Sequence, residues 1–160
     1  MKTYGAPWGT SLVVTSLVTA LICLGVAILM LWRGPGWIHW VAVLLLATIC
    51  GGALFTVRGY TVTSDAILVH RLFWKTQLPL TGLQSAEFTP GAMRGSLRIL
   101  GNGGLFSFSG VFRNKTLGTY RAFVTDLRRT VVLRFAERTI VISPSEPEDF
   151  VREVNAASHG

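Results

Sequence analysis

Residues 11–32 contain no charged side chain, and neither do residues 37–57. Each run is about 20 residues long, the length a helix needs to cross a ~30 Å hydrocarbon core. A surface helix of a soluble protein keeps one polar face. The pattern therefore predicts two transmembrane helices, about 11–32 and 37–57. After Arg58 the period changes to two. Tyr60 and Val62 alternate with threonines, and Ile67 and Val69 alternate with Leu68 and His70. Strand-like runs follow at 73–80, 83–88, 96–100, 119–125, 130–135 and 139–142, separated by turn residues, which argues for a sandwich or barrel. The ending reads differently. Ser145 with Glu148 three residues later forms a capping box, and Phe150, Val151 and Val154 share one helical face. A C-terminal helix of three turns is expected, with residues 156–160 as a frayed tail.

A cleaved signal peptide is rejected for the first run, because it exceeds the usual apolar core of such peptides and no small-x-small cleavage site follows. Only Arg33-Gly34-Pro35-Gly36 separates the spans, so they form an antiparallel hairpin. Trp8, Trp32, Trp37 and Trp40 fall near the span ends, where indoles favour the headgroup layer. Lys2, Arg58, Arg71 and Lys75 lie at one mouth and Arg33 alone at the other. The positive-inside rule then places both termini in the cytoplasm and the hairpin in the cytoplasmic (plasma) membrane. Small residues at matching depth, Ser16 and Ala20 in the first span and Ala47, Gly51 and Gly52 in the second, suit close helix packing within the hairpin or between copies. No ionisable side chain lies within a span apart from His39 at an interface, so the hairpin reads as an anchor rather than a transport path.

Composition sharpens this picture in two ways. Half of the 160 residues are hydrophobic and only 14% are charged, which fits a membrane component. The net charge is +7, of which Lys2 and Arg33 supply all that residues 1–57 carry, so the excess belongs to the domain that follows. Such a balance favours anionic partners. Cys23 and Cys50 both sit inside the apolar runs, which excludes a disulfide framework in the domain.

Several stretches resemble bacterial pleckstrin-homology (PH) domains. Gly59-Tyr60-Thr61-Val62, Ile67-Leu68-Val69-His70-Arg71 and Leu78-Pro79-Leu80 look like the opening strands of that family. Leu117-Gly118-Thr119-Tyr120-Arg121-Ala122, Val141-Ile142-Ser143-Pro144 and Pro147-Glu148-Asp149-Phe150 resemble its later strands and helix entry. The resemblance covers about residues 58–155. It implies a two-helix hairpin followed by a mainly-β PH-like barrel or sandwich capped by a C-terminal α-helix, with no catalytic residues to carry over.

The glycine-rich stretch 97–110 is the one candidate for phosphate-loop chemistry. Gly104 and Gly110 have the wrong spacing for a P-loop, and Val111 stands where lysine is required. Phe106 occupies the last glycine position of a dinucleotide fingerprint begun by Gly101 and Gly103. The stretch therefore reads as a flexible corner before an aromatic segment. Phe106 and Phe108 either plug the open end of the barrel or project outward, with Arg113 and Lys115 beside them and Arg94 nearby, as a partner or headgroup site. Arg98, Arg121 and Arg134 alternate with apolar residues and read as a solvated sheet face. His39, His70 and His159 lie in separate contexts with no metal-ligand spacing. No nucleophile, acid–base pair, cofactor motif or nucleic-acid platform is present. The expected function is a non-catalytic, membrane-tethered module that binds a protein partner or its own copies through a strand edge or loop. Recognition of anionic lipid headgroups is the second expectation, and a role as accessory subunit of a transport or secretion complex the third.

Overall fold

The computed structural model describes residues 1–158. Helix α1 (Thr10–Arg33) and helix α2 (Gly36–Leu54) are both long and apolar enough to cross a membrane, and most of their side chains are exposed. The Gly34 amide donates to the Met30 carbonyl at 2.9 Å, and a Cβ on Gly34 would lie 2.4 Å from that oxygen, so the corner requires glycine. Ala27 and Ala42 are buried at matching depths on either side of it. The apolar run continues to Val57, yet α2 stops at Leu54. Val57 leaves the helix direction and is fully buried in the core of the domain.

Two sheets follow. Strands β1 (Lys2–Gly5), β2 (Gly59–Val62), β3 (Ala66–His70) and β4 (Lys75–Pro79) form an antiparallel sheet in that order. The second sheet contains β5 (Leu83–Phe88), β6 (Leu97–Gly103), β7 (Phe108–Asn114), β8 (Gly118–Val124), β9 (Val131–Phe135) and β10 (Thr139–Ile142). Its order is β5-β9-β10-β8-β7-β6, antiparallel except for the parallel β8–β10 pair. Helix α3 (Pro147–Ser158) closes the sandwich.

Four features depart from the sequence pattern. Lys2–Gly5 is not a bare lead-in to the first span: it pairs with β2 as an edge strand, and Lys2 makes an ion pair with Asp149 of α3. Four residues are too few to show a period, so only the partner strand reveals it. The glycine corner is likewise sheet. β6 runs through Gly101 and Asn102 to Gly103, and β7 returns beside it, with Gly101 opposite Gly110. Both glycines have positive φ, +107° and +145°, and a Cβ on Gly110 would lie 2.1 Å from the Leu100 carbonyl oxygen. The glycines let two backbones touch, which is the opposite of a flexible role. The C-terminal helix begins at Pro147, a residue suited to the first helical position. Ser145 does not act as its expected cap, and its backbone serves Gly5 and Arg129 instead. Residues 156–158, expected to fray, complete that helix, and the rest of the tail (159–160) lies outside the described residues.

The main core lies between the sheets and under α3, built on Tyr60, Ile67, Phe123, Leu133, Ile142 and Phe150. Each such side chain contributes about 1.5–3 kcal/mol on burial. The Tyr60 hydroxyl donates to the Phe123 carbonyl at 2.6 Å and accepts from the Ser143 amide at 3.2 Å, tying one sheet to the other. Burial pushes its pKa up to about 12. A second cluster, including Met93, Phe112, Tyr120 and Val141, fills the outer face of the six-stranded sheet beneath residues 89–96.

Candidate functional site

Alternation along β8 prepares the site. Tyr120, Ala122 and Val124 belong to the outer cluster and Phe123 to the main core, so Arg121 shares the inner side with Phe123. Toward β7 and β6, the end of α2 and the turn after β3 face this side instead of the first sheet. The result is a cleft of about 640 Å³, within the size range of small-molecule sites. Thr48, Gly51, Gly52 and Phe55 form its helix wall, and Leu100, Leu105 and Val111 its apolar sheet wall. Arg71, Arg98 and Arg121 supply the charge.

Two guanidinium groups share one aromatic support. The Cζ atoms of Arg71 and Arg121 lie 5.2 and 5.1 Å from the centroid of the Phe123 ring. Arg71 is also 5.5 Å from the Phe55 ring and 5.7 Å from the Trp74 ring. Its Nη1 donates to the Phe55 carbonyl at 3.2 Å, where a cation complements the negative end of α2. That contact accounts for one donor. Nε is buried and has no hydrogen-bond partner, although buried donors ordinarily find one. Burial first, and repulsion from Arg121 second, lower the pKa of Arg71; even so, a guanidinium stays charged. Arg98 stands at the rim, where its Nη1 would come within 3.1 Å of a Cβ built on Gly103.

Among the described residues, no aspartate or glutamate lines this cleft. A second cleft offers the contrast. It is lined by Thr10, Ser11, residues 90–91, Met93, Arg94 and residues 126–128, and there Asp126 lies 3.8 Å from both Arg128 and Arg129, offsetting part of their charge. The first cleft holds three cations and three polar uncharged groups, Thr48, Asn102 and Ser109. Its chemistry is that of an anion site, and guanidinium forks match phosphate and carboxylate oxygens.

The β6–β7 turn fixes the cleft against the helices. Thr15 and Ser16 hydroxyls each donate to the Gly104 carbonyl at 3.3 Å, and the Phe106 amide donates to Ser16 Oγ at 2.9 Å. Ser107 Oγ reaches the Phe55 carbonyl at 3.2 Å. A Cβ on Gly52 would lie 2.9 Å from Leu105 Cδ2. Ser16 and Gly52 therefore receive the turn of the sheet rather than the other helix. Ala20 is half-buried, Ala47 is exposed, and nothing lies within 4 Å of a Cβ built on Gly51.

The residues singled out in the sequence fall in separate places. Phe106 leans on Trp8, with ring centroids 6.2 Å apart. Phe108 packs on the outer cluster. Arg113 and Lys115 flank Asn114, at the opposite end of a seven-residue strand from that turn, about 20 Å away. Arg94 lines the Asp126 cleft. The structure does not bring these five together. The group that it does bring together combines Arg71 with Arg98 and Arg121. Arg121 and Phe123 sit two residues apart on a strand, which was the readable clue; nothing local pairs them with Arg71. β6 is an open sheet edge, where Leu97, Ile99 and Leu100 are exposed. No cluster of potential metal ligands exists among the described residues. A family model described as bacterial PH domain matches residues 58–158. No curated protein and no solved structure matches the chain.

Proposed function

This chain belongs to the bacterial PH domain family, and on that premise we propose that it is a non-catalytic, membrane-tethered interaction module that holds an anionic group of its partner in the Arg71–Arg121 cleft. The observation that carries this reading is the convergence of three arginines on one cleft with no carboxylate among the residues lining it. Arg121 repels Arg71, and an anion bound in their cleft offsets that cost. The family supports an interaction role, and the two candidate spans support the tether. The domain lies on the cytoplasmic side of the membrane in this reading, because Arg58, Arg71 and Lys75 follow the second span while Arg33 alone marks the far turn.

The test uses the full chain in a nonionic detergent, titrated with inorganic phosphate. Trp74 borders Arg71, so its emission, taken as the difference from Trp74→Phe, reports the site. Wild type is expected to show a saturable change that weakens with salt. Arg121→Gln, at an exposed position, is expected to weaken it about tenfold or more. An unaltered titration in that variant would sink the proposal.

A further inference from the structure

We infer that the anionic group belongs to a glycerophospholipid of the surrounding bilayer, which enters the cleft sideways past α2 and leaves its acyl chains in the hydrocarbon; this rests on the anion reading above. The cleft is chemically graded. Its cations come from the domain, and its opposite wall is Thr48, Gly51 and Gly52 of an apolar helix. Thr48 lies about 9 Å up the helix from its end at Leu54. An opening at that depth meets hydrocarbon as well as water. Gly51 leaves a gap in the helix surface there, with nothing within 4 Å of where a side chain would begin.

The mouth carries apolar surface that a free anion does not use. Phe55 and Leu100 are 47% and 71% exposed, and Leu105 and Val111 line the wall between. Exposed apolar groups collected around a polar site mark a ligand with an apolar part. The ring contact between Phe55 and Trp74, with centroids 5.2 Å apart, makes this rim continuous with the apolar end of α2. The charge balance selects among headgroups. A choline or ethanolamine cation would meet three arginines and no carboxylate among the residues lining the cleft. A headgroup with net negative charge, such as phosphoglycerol, meets no like charge.

The experiment places the full chain in nanodiscs of phosphatidylcholine and phosphatidylglycerol and counts lipids that remain bound on native mass spectrometry. Wild type is expected to retain one phosphatidylglycerol in preference to phosphatidylcholine. Gly51→Phe fills the lateral gap and is expected to lower that retention about tenfold. Gly51→Ala, which adds one methyl into open space, is expected to behave as wild type and so controls for helix disruption. Equal retention of the two lipids, or full retention in Gly51→Phe, would overturn the lipid inference and leave the anion reading standing. A flat phosphate titration in wild type would instead remove the anion reading, and this inference with it.

Discussion

Asp126 lies 3.8 Å from both Arg128 and Arg129, whereas Arg71 and Arg121 lie 5.2 and 5.1 Å from the centroid of the Phe123 ring, in a cleft that no carboxylate among the described residues lines. Both pairs are made of the same residue on the same small domain, yet their physics differs. At Asp126 a carboxylate of the chain itself offsets part of the charge: Asp126 Oδ1 also accepts the Arg128 amide at 2.9 Å, and its own amide is held by Ser143 Oγ. The Phe123 pair is supported by ring contacts that hold the guanidinium groups in place without neutralising them. A pair with a carboxylate of its own serves the fold. An unneutralised pair, held in place, costs stability and gains meaning only when something else supplies the negative charge.

Removing the shared ring should have the largest effect. Phe123 is 1% exposed, so Phe123→Ala is expected to cost about 3–5 kcal/mol, read from thermal unfolding in detergent. It should also weaken the phosphate response, since Arg121 loses its ring while Arg71 keeps those of Phe55 and Trp74. Opposite signs are expected from the next two variants. Asp126→Ala leaves the part-buried Arg128 amide without its acceptor, while the exposed Arg128 and Arg129 side chains stay solvated, and should destabilise by about 1–3 kcal/mol. Arg121→Gln removes a repulsion from a half-exposed neighbour, and after allowing for solvent screening it should stabilise by a few tenths of a kcal/mol, about the size of a surface charge effect. That gain should shrink with added salt. Destabilisation by Arg121→Gln comparable to that of Asp126→Ala would erase the distinction between the pairs.

The smallest effect concerns a third charged contact. The Lys2 ammonium holds Asp149 below its usual 3.8, with a further hydrogen bond from Tyr4. A lowered carboxylate pKa means that the contribution is complete above about pH 4 and is lost as pH falls through the folded value. Acid should therefore loosen β1 from α3 while leaving the arginine cleft charged. Protection factors of the β1 amides that fall below pH 4 in wild type and stay constant with pH in Lys2→Met are the expected signature.

Much of the fold could be read locally. Two uncharged runs of about 20 residues and strands of period two are properties of neighbouring side chains, and they predicted the helices and most strands. β1 was hidden because four residues beside a span carry no period. β7 was hidden because its glycines resemble a loop until Gly101 and Gly110 are seen to touch. The candidate site was less legible still. Arg98, Arg121 and Arg134 look alike in the sequence, each alternating with apolar residues. Arg134 and Arg98 fall on the outer face, in register with Val132 and Phe112 of the outer cluster, while Arg121 lies where the inner face opens toward α2, and Arg98 reaches that cleft only from the sheet edge.

What the amino-acid order settled by itself is therefore everything that depends on short-range periodicity: two membrane-length helices, a β domain of the PH kind and its closing helix. Only the tertiary structure decided which cations meet. Arg71, Arg98 and Arg121 sit on different strands and turns. Their meeting depends on strand order and on the Ser16 and Phe55 contacts that dock the β6–β7 turn to the helices. Long-range pairing of that kind leaves no mark on the residues to either side of each arginine.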